Sequence, residues 1–85
     1  MTDETGALIA ERGKAHGDWH KQASIAQQLK AVLYPARNAL TPHQVEALEM
    51  IAVKMSRILA GDPNHADHWD DIAGYARLGK QGHEP

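Results

Sequence analysis

The stretch TPHQVEALEMIAVKMSRILAG, residues 41–61, decides the fold. Thr41 is suited to cap a helix, and Gln44 completes a capping box three positions later. The proline between them favours the first helical position. Gly61 is suited to end the helix in the left-handed conformation. The sequence therefore predicts a helix over residues 42–60.

The predicted helix is apolar around most of its circumference. A helix of this kind is buried by partners on more than one side, so we expect it to lie at the centre of the fold. Its broad apolar face and the positions that widen it are Leu48, Ile51, Ala52, Met55, Ile58 and Leu59, with Val45, Met50 and Val53.

Residues that favour helix dominate the rest of the chain, and alternation of period two is absent. Further helices are predicted over residues 5–12, 19–33 and 66–78. Asp18 is suited to cap the second of these, and Gly79 to end the last. We predict an all-α fold, a compact bundle of about four helices in one domain over residues 1–85, with an ordered core over residues 5–79 and a flexible tail over residues 80–85.

The short chain and its composition provide few large side chains for a hydrophobic core. The chain has 85 residues, two Trp, two Tyr, and neither Phe nor Cys. A domain this small is near the lower limit for an independent core, and no disulfide is available to reinforce it. We therefore expect a homodimer or a higher homo-oligomer that completes the core between subunits.

The charge balance and hydropathy restrict the partners. A formal net charge of -2 gives no electrostatic footprint for DNA or RNA. No apolar run approaches the ~20 residues that span a bilayer. The first residues are acidic before they are basic, unlike a signal peptide. We expect a cytoplasmic protein with no DNA and no membrane partner.

One side of the last predicted helix is apolar and is expected to join the core, through Trp69, Ile72, Ala73 and Ala76. The opposite side carries Asp67 and Asp71, four residues apart, whose carboxylates are neighbours and repel each other. A cation between them relieves this repulsion, and oxygen ligands suit Mg²⁺ or Mn²⁺. Acids in a first helical turn also complement the helix macrodipole, which explains Asp67 and Asp70 without a metal.

The central helix carries a second group of charges. Glu46 and Glu49 form a Glu-x-x-Glu pair, and Lys54 and Arg57 follow. Together with neighbouring apolar side chains they could form an interface or the wall of a site. The same order, acids first and bases later, also suits a solvated helix, because it complements the macrodipole.

Three segments resemble a known family. ERGKAHGDW, residues 11–19, resembles the ERGKxYGD opening of a family of small phage and prophage proteins. VKMSRI, residues 53–58, and DHWDDIAGYA, residues 67–76, resemble its later signature, KxxRI followed by DxxxDxxGYA. That family is similar to the all-α, MazG-like nucleoside triphosphate pyrophosphohydrolases.

The resemblance implies a MazG-like fold and a Mg²⁺-dependent enzyme that splits a nucleoside triphosphate into the monophosphate and pyrophosphate. If the chain is phage-encoded, it would act in the host cytoplasm. The residues that the resemblance assigns are Asp67, Asp70 and Asp71 as metal ligands, Glu46 and Glu49 as catalytic residues, and Lys54, Arg57 and Tyr75 as nucleotide-binding residues.

The acidic motifs depart from the enzyme pattern in two ways. The first lacks the doubled glutamate of E-E-x-x-E, and the second reads Asp-x-x-Asp-Asp in place of Glu-x-x-Asp. The alternative function is therefore a non-catalytic phage accessory or anti-defence protein that binds a host protein.

Overall fold

The computed structural model describes residues 18–81 of the chain. Three α-helices follow one another there, α1 (Trp19–Leu33), α2 (Pro42–Ala60) and α3 (Ala66–Gln81), with a 3₁₀ helix (Tyr34–Ala39) before α2. These residues contain no strand, which confirms the all-α class. The helix predicted over residues 5–12 lies outside the described residues, so three of the four expected helices are observed.

The starts of α1 and α2 lie where the capping residues predict them. The side chain of Asp18 accepts a hydrogen bond of 2.9 Å from the backbone N–H of Lys21. Thr41 and Gln44 form the predicted capping box, in which each side chain accepts from the other residue's backbone N–H. Each cap satisfies backbone donors that a helix start leaves without a partner.

Gly61 ends α2 as predicted, but in a different conformation. Its φ is -129° and its ψ is -131°, so the expected left-handed geometry is wrong. The backbone N–H of Gly61 still donates to the carbonyl oxygen of Arg57 at 2.9 Å. The last turn of α2 is therefore closed without a positive φ.

Gly79 does not end the last helix, which continues to Gln81. A Cβ atom built on Gly79 would lie 3.3 Å from the Cβ of Ala47. Any side chain at this position would press on Ala47, so glycine suits the close approach of α2 and α3 there. The prediction that the last helix ends at Gly79 is wrong.

The central position predicted for α2 is confirmed. α1 and α3 each pack mainly on α2. α3 runs antiparallel to α2, because Gly79 lies against Ala47 near the start of α2 while Asp71 contacts Lys54 further along.

The buried core is small and partly polar. Its buried apolar residues within residues 18–81 are all alanines, namely Ala26, Ala47 and Ala52. The largest fully buried side chains are His68 and Ser56. The large apolar side chains of α2 therefore do not fill an interior, and the single broad buried face expected there is only partly formed.

The face of α3 that packs on α2 differs from the expected one. Of the expected face, Ile72 is half-buried, while Trp69 is 55% exposed and Ala73 and Ala76 are also exposed. His68 is buried in their place, on the side of α3 that carries Asp71. The indole N–H of Trp69 donates to the carbonyl oxygen of Pro63 at 2.7 Å, which holds the ring beside the preceding turn.

We expect Gly74→Ala to raise the free energy of unfolding by about 0.5–1 kcal/mol, because alanine restricts the unfolded chain and favours helix. Apart from the adjacent residues and the backbone of its own helix, no atom lies within 4 Å of the added methyl group at this position. Gly79→Ala is the matched control. Its methyl group meets Ala47, so its gain should be smaller or negative. Urea denaturation of both variants checks this, and equal stabilisation by the two would contradict the close approach at Gly79.

Candidate functional site

Two of the predicted site residues form an ion pair between α2 and α3. The Nζ atom of Lys54 lies 2.9 Å from the Oδ2 atom of Asp71. The side chain of Lys54 is 13% exposed and that of Asp71 is 44% exposed. The structure thus pairs a predicted phosphate-binding residue with a predicted metal ligand.

The pKa of Asp71 is lowered, first of all by the hydrogen bond from Lys54. Partial desolvation acts in the opposite direction and raises the pKa. Electrostatic interactions with Lys54, His68 and Arg57 lower it further. The carboxylate of Asp71 is therefore held in its ionised form.

Arg57 adds a donor beside this pair. Its Nε atom is buried and has no hydrogen-bond partner within residues 18–81. Ser56 next to it is buried, and its hydroxyl donates to the carbonyl oxygen of Val53 at 2.6 Å. We call Lys54, Arg57, His68 and Asp71 the polar centre of the protein. An acceptor or an anion that reached the Nε atom of Arg57 would satisfy its buried donor.

The other two predicted metal ligands lie away from the polar centre or face solvent. Asp67 is highly exposed, and its Oδ2 atom lies 3.8 Å from the Nε2 atom of His65. Asp70 is exposed. Across residues 18–81, no three His, Asp or Glu side chains lie close enough together to hold a metal ion.

Glu46 and Tyr75 line the same groove between α2 and α3, away from the polar centre. Glu46 precedes Lys54 by eight residues, roughly 12 Å along the helix axis, while Glu49 lies between them and is half-buried. An open groove of about 710 Å³ is lined there by His43, Glu46, Ala47, Met50, Tyr75, Leu78 and Gln81. Because the helices are antiparallel, the glutamates of α2 and the aspartates of α3 lie at different positions along the helix axes. Within one chain the two groups of acids are therefore apart.

α2 also carries an exposed apolar surface. Leu48 is 40% exposed, Met55 38% and Leu59 59%, and Ile51 and Ile58 beside them are half-buried. We call these five residues the α2 stripe. Sequence reasoning assigned all five to the core. The recurrence of apolar residues at 48, 51, 55 and 58 is the signal that could have identified a helix-binding surface.

Charged residues of α2 lie away from the stripe. At about 100° per residue, the sector within about 80° on either side of Leu48 contains only uncharged residues of this helix. α1 and α3 pack on α2 and make little contact with each other. The charged residues of α2 outside the sector are Glu46, Glu49, Lys54 and Arg57.

Comparison with known proteins gives one family. The model of a family described as "Domain of unknown function (DUF6378)" matches residues 1–83. No curated protein and no solved structure matches the chain. None of the helices within residues 18–81 is long and apolar enough to cross a membrane.

We expect Asp71→Asn to lower the free energy of unfolding near neutral pH, because it removes the ion pair with Lys54. The folded-state pKa of Asp71 lies below the ordinary value of 3.8. Its stabilisation is therefore complete above that value and is lost as the pH falls through the lower, folded value. Urea denaturation at a series of pH values checks this. The difference from wild type should shrink below about pH 4.

Asp70→Asn is the matched control for this measurement, because Asp70 is the exposed neighbour of Asp71. A similar loss in both variants would show that general charge, not the contact with Lys54, sets the effect.

Proposed function

We propose that this chain, which belongs to the DUF6378 family, is a helical interaction module that works as a homodimer. The observation that carries the proposal is the exposed α2 stripe. Its residues lie on the helix against which both other helices pack. The second copy is the proposed occupant of this surface.

The small core supports association. Only alanines make up the buried apolar core of residues 18–81, and a core of this size rarely supplies more than about 3–5 kcal/mol. Completing the burial of a half-exposed Leu or Met contributes on the order of 1 kcal/mol. In a symmetric dimer each such residue is buried in both copies. Burial of the stripe therefore adds substantially to the free energy of unfolding of a domain that is only marginally stable alone.

The position of the stripe leaves the groove free. His43, Glu46 and Met50, which line the groove, lie on the side of α2 away from Leu48, by about 140–160° around the helix. A dimer formed through the stripe therefore leaves the groove uncovered.

We expect Leu48→Glu and Leu59→Glu each to shift the protein from dimer to monomer, because a charge at an apolar seam must be desolvated on pairing. Both positions are well exposed in one chain, so the helices should still form. Sedimentation velocity gives the association state, and circular dichroism checks the helix content.

Val32→Glu is the control, because Val32 is a 79% exposed apolar residue of α1 outside the stripe. It should leave the dimer intact. A wild-type protein that sediments as a monomer over the accessible concentration range, with a melting temperature that does not depend on concentration, would refute the proposal.

A second candidate function is Mg²⁺-dependent hydrolysis of a nucleoside triphosphate, which the family resemblance implies. The observation that favours it is the buried Nε atom of Arg57, a donor beside Lys54 that suits a phosphate oxygen. Asp71 would serve as a metal ligand together with Asp67 or Asp70. Glu46 and Glu49 would be supplied by another subunit, because those of the same chain lie at a different level.

The test of this candidate is a thermal-shift screen of nucleoside triphosphates with and without Mg²⁺, combined with an assay of pyrophosphate release. Metal-dependent stabilisation and turnover, both lost in Asp71→Ala, support the enzyme. Val32→Glu again serves as a control on an unrelated surface. The candidate fails if no nucleotide raises the melting temperature and no pyrophosphate is released.

A further inference from the structure

We propose that the groove between α2 and α3 binds residues 7–10 of the same chain, through the side chains of Leu8 and Ile9. These residues precede the part of the chain that the structure describes, residues 18–81. The groove lies on a different surface from the stripe, so this proposal does not depend on homodimerisation.

The groove presents apolar side chains of two helices. Met50 of α2 and Tyr75 of α3 are half-buried there, and Leu78 of α3 is 57% exposed. Covering these side chains removes apolar surface from water, which stabilises the bound form. The groove therefore suits an apolar occupant.

The chain itself contains an apolar run outside the described residues. Residues 7–10 read Ala-Leu-Ile-Ala, whereas residues 82–85 contain no large apolar side chain. The family match spans residues 1–83 and so includes this run together with all three helices. The run therefore belongs to the same domain as the groove.

The connection to α1 is long enough for this contact. Ile9 precedes Asp18 by nine residues, and nine residues span up to about 30 Å when extended. The 19 residues of α2 extend over about 28 Å. The run can therefore reach the groove whichever part of α2 lies beside the start of α1.

The run matches the groove in size better than it matches the stripe. The stripe extends from Leu48 to Leu59, about 16 Å along the helix axis, while four residues cover at most about 14 Å. The groove, of about 710 Å³, has the size of a site that encloses a small ligand, about 300–1,000 Å³. Two large side chains, Leu8 and Ile9, suit a site of this kind.

Cysteine cross-linking tests the contact, because the natural chain contains no cysteine. The variant Ile9→Cys/Leu78→Cys places one cysteine in the run and one in the groove. Its matched control, Ile9→Cys/Leu48→Cys, places the second cysteine in the stripe. A disulfide requires the two Cα atoms to come within about 7 Å of each other. Isotopically heavy and light chains are mixed before oxidation, so that mass spectrometry separates disulfides within one chain from those between chains.

The expected result is a several-fold excess of the intrachain disulfide in Ile9→Cys/Leu78→Cys over that in the control. An excess in the control would overturn the proposal and show that the run binds the stripe. A disulfide mainly between heavy and light chains would also overturn it, because the occupant would then be the run of another copy. The proposal fails equally if neither variant forms a disulfide.

A second measurement does not depend on engineered cysteines. Leu8→Glu should lower the urea concentration at the midpoint of unfolding, because a charge in the groove must be desolvated. Thr5→Glu, which adds the same charge at a polar position outside the run, should leave the midpoint nearly unchanged. Equal shifts in the two variants would contradict the burial of Leu8. Sedimentation of the wild-type protein as a monomer would refute the homodimer without affecting either result.

Discussion

The close contact of α1 and α3 with α2 through small side chains is the constraint on which the rest of the structure depends. Ala26, Ala47 and Ala52 are buried, and Gly79 approaches Ala47 so closely that an added methyl group would press on it. At the contact of Gly79 with Ala47, α2 and α3 leave no room for a larger side chain between them. Leu48, Met55 and Leu59 of α2 are exposed, and these apolar side chains are available to form another surface.

The sequence predicted best what depends on neighbouring residues alone. The caps at Asp18 and Thr41 were identifiable because a capping side chain acts on backbone donors within three residues of it. The ends of α2 and α3 were less predictable, since glycine can end a helix or admit another helix. At Gly79 the deciding partner is Ala47, which lies in a different helix and has no local signal.

The candidate site shows the same limit. Acids on two neighbouring helices were identifiable, and the structure does place Asp71 against α2. The antiparallel packing decides which residues of α2 and α3 lie side by side along the helix axes. It places Lys54, not Glu46, beside Asp71. The side of α3 that packs on α2 was also mispredicted. The prediction considered only the apolar residues of α3, and not the small residues and Lys54 of α2 against which α3 packs. Whether the predicted metal and nucleotide residues act in catalysis stays a prediction.

The packing of both outer helices on α2 alone bears on how the chain folds. The main tertiary contacts of residues 18–81 join helices that are neighbours in sequence, linked by short connections. Closing such short loops has a low entropic cost, and helical domains rich in local contacts fold in about microseconds to milliseconds. Each of the two helical hairpins contains α2, so ordering of this one helix is a step that both hairpins share.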